Sequence, residues 1–171
     1  MKQEYYKWST KDKWYYILSM IPFVIMFMGT FYILNMYSIL ISLLWVLIYI
    51  IVNFFQAGCC VGCPYRGKYC PAFCGVYLGN LISSIFYKSR QFDSKFFHIN
   101  AAGGEIALII FLFYPIYWIF IFSWYLLLIY IGLVVSHILL FMPKQCSKCS
   151  YNMTCPGGRA YQNYCKLLKI K

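Results

Sequence analysis

Nine cysteines in a chain of 171 residues fall into two groups, and their spacing is the feature best suited to chemistry. Cys59, Cys60, Cys63, Cys70 and Cys74 make up the first group, and Cys146, Cys149, Cys155 and Cys165 the second. The stretch 60–71 aligns with 146–156 when one residue is omitted. Both read C-x2-C-x-Y, then three or four residues, then Cys-Pro. Thiolates are soft ligands that suit zinc, cuprous copper and iron–sulfur clusters. Neither of the two histidines lies inside a cysteine segment and only four acids are present, so any metal site would be mainly sulfur-ligated. The spacing admits three arrangements. Each segment could supply its own quartet, from Cys60, Cys63, Cys70 and Cys74, and from Cys146, Cys149, Cys155 and Cys165. Alternatively, the two C-x2-C elements could build one joint site of Cys60, Cys63, Cys146 and Cys149, a set that fits tetrahedral zinc or a single iron. The third possibility is disulfides on an oxidising side of a membrane, a reading that the glycosylation-type triplet at 152–154 would fit. Juxtamembrane cysteines are also suited to reversible acylation or thiol redox chemistry. Cys59 is left over in every metal scheme and reads as a packing residue.

The Cys-Pro that ends each compact series resembles the cluster loops of ferredoxins, whose run is C-x2-C-x2-C-x3-C-P. Here the second interval is longer, and proline follows the third cysteine instead of the fourth. In a membrane setting the pattern is similar to that of integral polyferredoxin proteins, over about a dozen residues per half. That resemblance implies cluster ligation and electron transfer.

The elements that must position these cysteines are apolar. Hydrophobic residues form 63% of the chain and charged residues only 11%, too few to clothe a soluble domain of this size. Apolar runs at 14–34 and 37–55 are each near the ~20 residues that a helix needs to cross a bilayer. Asn35, Met36 and Ser38 offer the turn between them, Trp14, Tyr15 and Tyr16 fit an interfacial aromatic belt, and Pro22 is expected to kink the first helix. The block 106–142 divides into two spans if the chain turns near Ser123 and Trp124. Between the hairpins, 76–87 reads as a surface-lying helix, 88–95 as a solvated loop, and Gly103-Gly104 as a flexible entry to the third span. The expected fold is therefore an all-α integral membrane protein with four transmembrane helices in two pseudo-repeated hairpins, each followed by a Cys-rich cytoplasmic segment. Its units are 1–75, 76–104 and 105–171. Repetition of this kind is a structural signal in itself, and a pseudo-twofold axis along the membrane normal would set the cysteine segments side by side.

Charge placement supplies the orientation. The net charge is +11, and all 15 Lys and Arg fall in the blocks 2–13, 66–95 and 144–171, leaving none within the apolar runs. Basic residues beside membrane spans read as attracted to anionic headgroups, not as a nucleic-acid patch. With four spans the three blocks share one face. The positive-inside rule then predicts an inner-membrane protein with both termini and the cysteine segments cytoplasmic. The first apolar run is too long for the core of a secretory leader and no small-residue cleavage site follows it, so it reads as an uncleaved helix.

No phosphate-binding glycine loop, nucleophile elbow or H-E-x-x-H is present, and the paired intramembrane carboxylates of an ion relay are absent. No catalytic constellation is visible. His137, within the fourth span, reads as a neutral side chain hydrogen-bonded to a neighbouring helix. Asn53 and Glu105 read as interfacial, with Arg66 or Lys68 as a partner for Glu105. The leading expectation is a thiolate-ligated metalloprotein that serves as an iron–sulfur electron-transfer subunit, working with other membrane or soluble redox subunits. The runner-up is a structural or interaction subunit with cysteine-ligated zinc.

Overall fold

The computed structural model describes residues 9–61, 63, 66, 78–91, 93–145, 159, 162–163 and 165–166. The helices with both ends among the described residues are α1 (Thr10–Tyr37), α2 (Ile39–Cys59), α3 (Gly79–Phe86), α4 (Ser94–Phe122) and α5 (Trp124–Gln145), and no strand occurs among the described residues. Four of the five, all but α3, are long and apolar enough to cross a membrane. Their outward faces carry large apolar side chains such as Leu40, Met28, Phe113 and Tyr125. Such a surface suits lipid, because a soluble bundle would place its charged residues there.

Local chemistry explains where the helices start and stop. Ser9 caps α1: its hydroxyl accepts from Asp12 N, and the Asp12 carboxylate accepts from Ser9 N, a reciprocal pair that satisfies two exposed donors. Asp93 caps α4 by accepting from Lys95 N. Both hairpins turn through a single serine in extended conformation. Ser38 has φ −168° and ψ 140°, and Ser123 has φ −169° and ψ 126°. Each still donates its backbone N–H to the helix behind it, Ser38 to Leu34 and Ser123 to Ile119. The second turn occurs where the sequence placed it, whereas the first is shifted: Asn35 and Met36 continue α1 and Ser38 alone makes the break, because the ladder of α1 persists until Ser38 donates to Leu34 O.

α4 starts well before the third apolar run. Gly103 and Gly104 lie in mid-helix, not in a flexible entry. The reason is packing: a Cβ at Gly103 would overlap the Phe55 ring of α2, and one at Gly58 of α2 would overlap the Asn100 amide of α4. Small residues here let the two backbones approach closely, the usual device between membrane helices that have no hydrophobic force to join them.

The long helices form a closed ring in the order α1, α2, α4, α5, with the broadest surface between α2 and α4 and the next between α1 and α5. Contacts along α2 and α4 run in opposite order, with Trp45 on Phe111 at one level and Gly58 on Asn100 near the end. The bundle is therefore up-down-up-down. At its centre Phe27, Trp45, Tyr49 and Phe111 from three helices make a continuous aromatic cluster. Trp45 and Phe111 are stacked there at 4.8 Å and 11°.

One polar bond inside the bundle replaces a donor that proline removes, and two others fall one residue beside such a break. Pro115 has no N–H to donate to Phe111 O four residues back. The indole Nε1 of fully buried Trp45 donates to that oxygen instead, at 3.0 Å. One residue along, Tyr130 Oη donates to Leu112 O at 2.8 Å. Pro22 likewise leaves Leu18 O without its helical donor, and the adjacent Ser19 O is met at 2.9 Å by His137 Nδ1. A carbonyl can only accept, so Nδ1 carries the proton in this pair. His137 is buried against Phe23 and Phe141 and has the structural role that its sequence context suggested.

Candidate functional site

The candidate site begins where α2 ends. Cys59 is the last residue of the helix, and Cys60 caps it with φ −79° and ψ −8°. Cys63 N then donates to Cys60 O at 3.1 Å, and Arg66 N to Cys63 O at 3.0 Å, so the chain makes two successive tight turns. A turn of this kind holds the Cα atoms of its end residues within roughly 7 Å. Cys-x2-Cys pairs carried on such a turn are a common backbone setting for thiolate ligands. Cys60 is buried and Cys63 half-buried. Cys59, the residue left over by every metal scheme, is buried against Phe97 of α4 with Cys63 and Ala101 around it.

Of the eight cysteines predicted as ligands, Cys60 and Cys63 are joined by a backbone hydrogen bond across one turn. Cys165 is half-buried in a helical stretch near the C-terminus. Cys70, Cys74, Cys146, Cys149 and Cys155 lie outside the described residues. Among the described residues no group of three or more His, Cys, Asp and Glu converges on a metal position. The bundle does supply one relation between the two segments. α2 and α5 run in the same direction on opposite sides of the ring, so both segments leave from the same end of it.

The polar surroundings of the Cys60 turn were not anticipated. α2 continues to Cys59 instead of stopping near Phe55, which carries Asn53 and Gln56 inside the bundle, 2% and 5% exposed. Asn53 Nδ2 donates to Tyr49 O at 2.7 Å, while Asn53 Oδ1 and Gln56 Oε1 have no hydrogen-bond partner among the described residues. Their spacing of three residues at the end of an apolar run was the available signal, since it places both amides on one helix face. Arg66 does not pair with Glu105. Its guanidinium donates to Ser83 O at 3.0 Å and to Arg90 O at 3.2 Å, tying the end of α3 to the turn after Cys63. Glu105 is exposed, and no ion pair involving it occurs among the described residues. No family model, curated protein or solved structure matches the chain.

Proposed function

We propose that the chain is an integral membrane metalloprotein whose two cysteine segments hold thiolate-ligated metal, iron–sulfur in the leading case, as an electron-transfer subunit of a larger redox assembly. The observation that carries this reading is the repeated C-x2-C-x-Y…C-P segment after each hairpin. The up-down-up-down ring supports it, since it starts both segments at one end of the bundle and its helix order is compatible with a pseudo-twofold axis. The turn at Cys60 and Cys63 fits a shared ion through its donor chemistry, two thiols three residues apart on a tight turn. Cys60, Cys63, Cys70 and Cys74 would hold one centre, and Cys146, Cys149, Cys155 and Cys165 a second. An iron–sulfur centre supplies one-electron transfer, and its place beside the membrane suits exchange between a soluble donor and a membrane partner. The positive-inside distribution of Lys and Arg supports a cytoplasmic position for this end, in a plasma or inner membrane.

Burial of Cys60 favours a second reading, a closed structural zinc that staples the ends of the two hairpins, because structural zinc sites leave no open position. Metal analysis and an anaerobic visible spectrum of detergent-purified protein separate the two. Iron with acid-labile sulfide and a band that bleaches on reduction supports the electron carrier. Stoichiometric zinc without colour replaces it with the staple. Cys63→Ser should remove about half the metal if each segment has its own site, whereas either Cys63→Ser or Cys149→Ser should empty a joint site. Equal metal content in wild type and both variants would sink the metal assignment.

A further inference from the structure

The short helix α3 and the turn after it present a surface that the metal reading leaves unused. Gly79 and Ser83 are buried as α3 packs along α2, and the Phe86 ring meets Phe54 of α2 at 5.5 Å. On the side away from α2, Leu78, Leu81 and Ile85 form one stripe and are 53–62% exposed. This spacing of three and four residues is that of an apolar helix face. Immediately beyond it come Lys88 and Arg90, and Lys95 follows in the first turn of α4, all exposed. Arg90 is held in place by stacking on the Phe96 ring, 3.6 Å from its centroid, and Arg66 ties its backbone to the end of α3. Asp93 is the only acid between Arg66 and Lys95, and its carboxylate is engaged in capping α4.

We propose that α3, the turn at Lys88 and Arg90, and Lys95 in the first turn of α4 form a binding site for an anionic phospholipid of the adjoining leaflet. Charge complementarity identifies the occupant: three fixed or flexible cations at the rim of an apolar stripe match a phosphate with net negative charge above acyl chains. Guanidinium and ammonium groups donate to the phosphate oxygens, and the stripe lies among the upper methylenes of the same lipid. A zwitterionic lipid would satisfy the stripe but leave the cations uncompensated. Each juxtamembrane Lys or Arg strengthens binding to an anionic surface by about fivefold, so three together give a preference well above tenfold.

The purified full-length chain, mixed with equal amounts of phosphatidylglycerol and phosphatidylcholine, is read by native mass spectrometry. Wild type should retain phosphatidylglycerol preferentially, and K88Q/R90Q/K95Q should lower that preference at least tenfold. K11Q/K13Q, which removes cations at α1, should keep most of it. A second measurement uses unmodified protein and a phosphatidylglycerol carrying a photoreactive headgroup, with expected adducts between residues 78 and 96. An unchanged preference in the triple variant, an equal loss in both variants, or adducts confined to other segments would overturn the proposal. Metal content is read separately on the same samples, so failure of the lipid site and failure of the metal reading are distinguishable.

Discussion

Trp45→Phe tests whether the indole of α2 serves as the missing donor for the helix of Pro115. Phenylalanine keeps a ring to stack on Phe111 but removes the N–H that meets Phe111 O at 3.0 Å. Hydrogen bonds between membrane helices are worth ~0.6 kcal/mol on average and up to ~1.7 kcal/mol. Phe111 O has lost its helical donor, and Trp45 is fully buried, so the value here should lie in the upper half of that range. The smaller ring also leaves a void, at roughly 24 cal/mol per Å3 of cavity. Trp45→Phe should therefore destabilise the bundle by about 1.5–2.5 kcal/mol. Repeating it in a Pro115→Ala background separates the two terms. Alanine in place of Pro115 supplies a backbone N–H to Phe111 O, so the lost indole bond matters less, while the void is the same and cancels from the cycle. The coupling between the two substitutions should be about 1 kcal/mol, with the double variant more stable than the sum of the singles implies. The assay is SDS-driven unfolding in mixed micelles followed by far-UV circular dichroism. Additivity within ~0.3 kcal/mol would refute the claim that Trp45 and Pro115 act through one carbonyl.

His137→Phe keeps the contacts to Phe23 and Phe141 while removing the donor to Ser19 O. It should lower the SDS midpoint by the equivalent of about 1 kcal/mol, and an unchanged midpoint would deny that bond a structural role. Gly58→Ala should cost about 1–3 kcal/mol in the same assay, because the new methyl overlaps the Asn100 amide of α4. Gly29→Ala and Gly132→Ala meet nothing within 4 Å and should be neutral or slightly stabilising. Equal losses at all three glycines would show that helix flexibility, not close packing, sets the requirement.

The spans were legible because their signal is additive over ~20 residues, and no local detail can cancel it. Ser123 was legible for the same reason: the long apolar block 106–142 has to turn somewhere, and the positive-inside rule forbade a single crossing. The start of α4 was misread because its signals are local. Gly103, Gly104 and Glu105 together look like a break, yet the glycines are there to accept Phe55, a residue 48 positions before Gly103 in the chain. Asn53 was misplaced by the same kind of error, since the end of an apolar run is not the end of its helix. The proline at 115 announces an orphaned carbonyl in the sequence. The donor that reaches it depends on the register of α2 against α4, which no window of sequence contains. For the cysteines the sequence offers residue type and spacing, and the structure adds the tight turn that pairs Cys60 with Cys63.

Comparison of the two hairpins bears on what the cysteine repeat means. Their frames correspond: a single extended serine at each turn, and a polar ring seven residues after it, Trp45 after Ser38 and Tyr130 after Ser123. The interiors do not. Trp45 reaches across to α4 of the other hairpin, whereas Tyr130 turns back to α4 of its own. Pro22 lies 16 residues before its serine and Pro115 only eight before its own, so the carbonyls that need donors sit at different depths. Packing against lipid and against neighbours tolerates such divergence, because many apolar sequences fill a bundle equally well. The C-x2-C pair that heads each segment is identical in spacing, and the interval to the third cysteine differs by one residue, a difference that thiolates carried on a loop accommodate. Under the proposed ligation, the identical C-x2-C spacing is the part of each half that must agree, and the spans beside it are free to differ in their polar bonds.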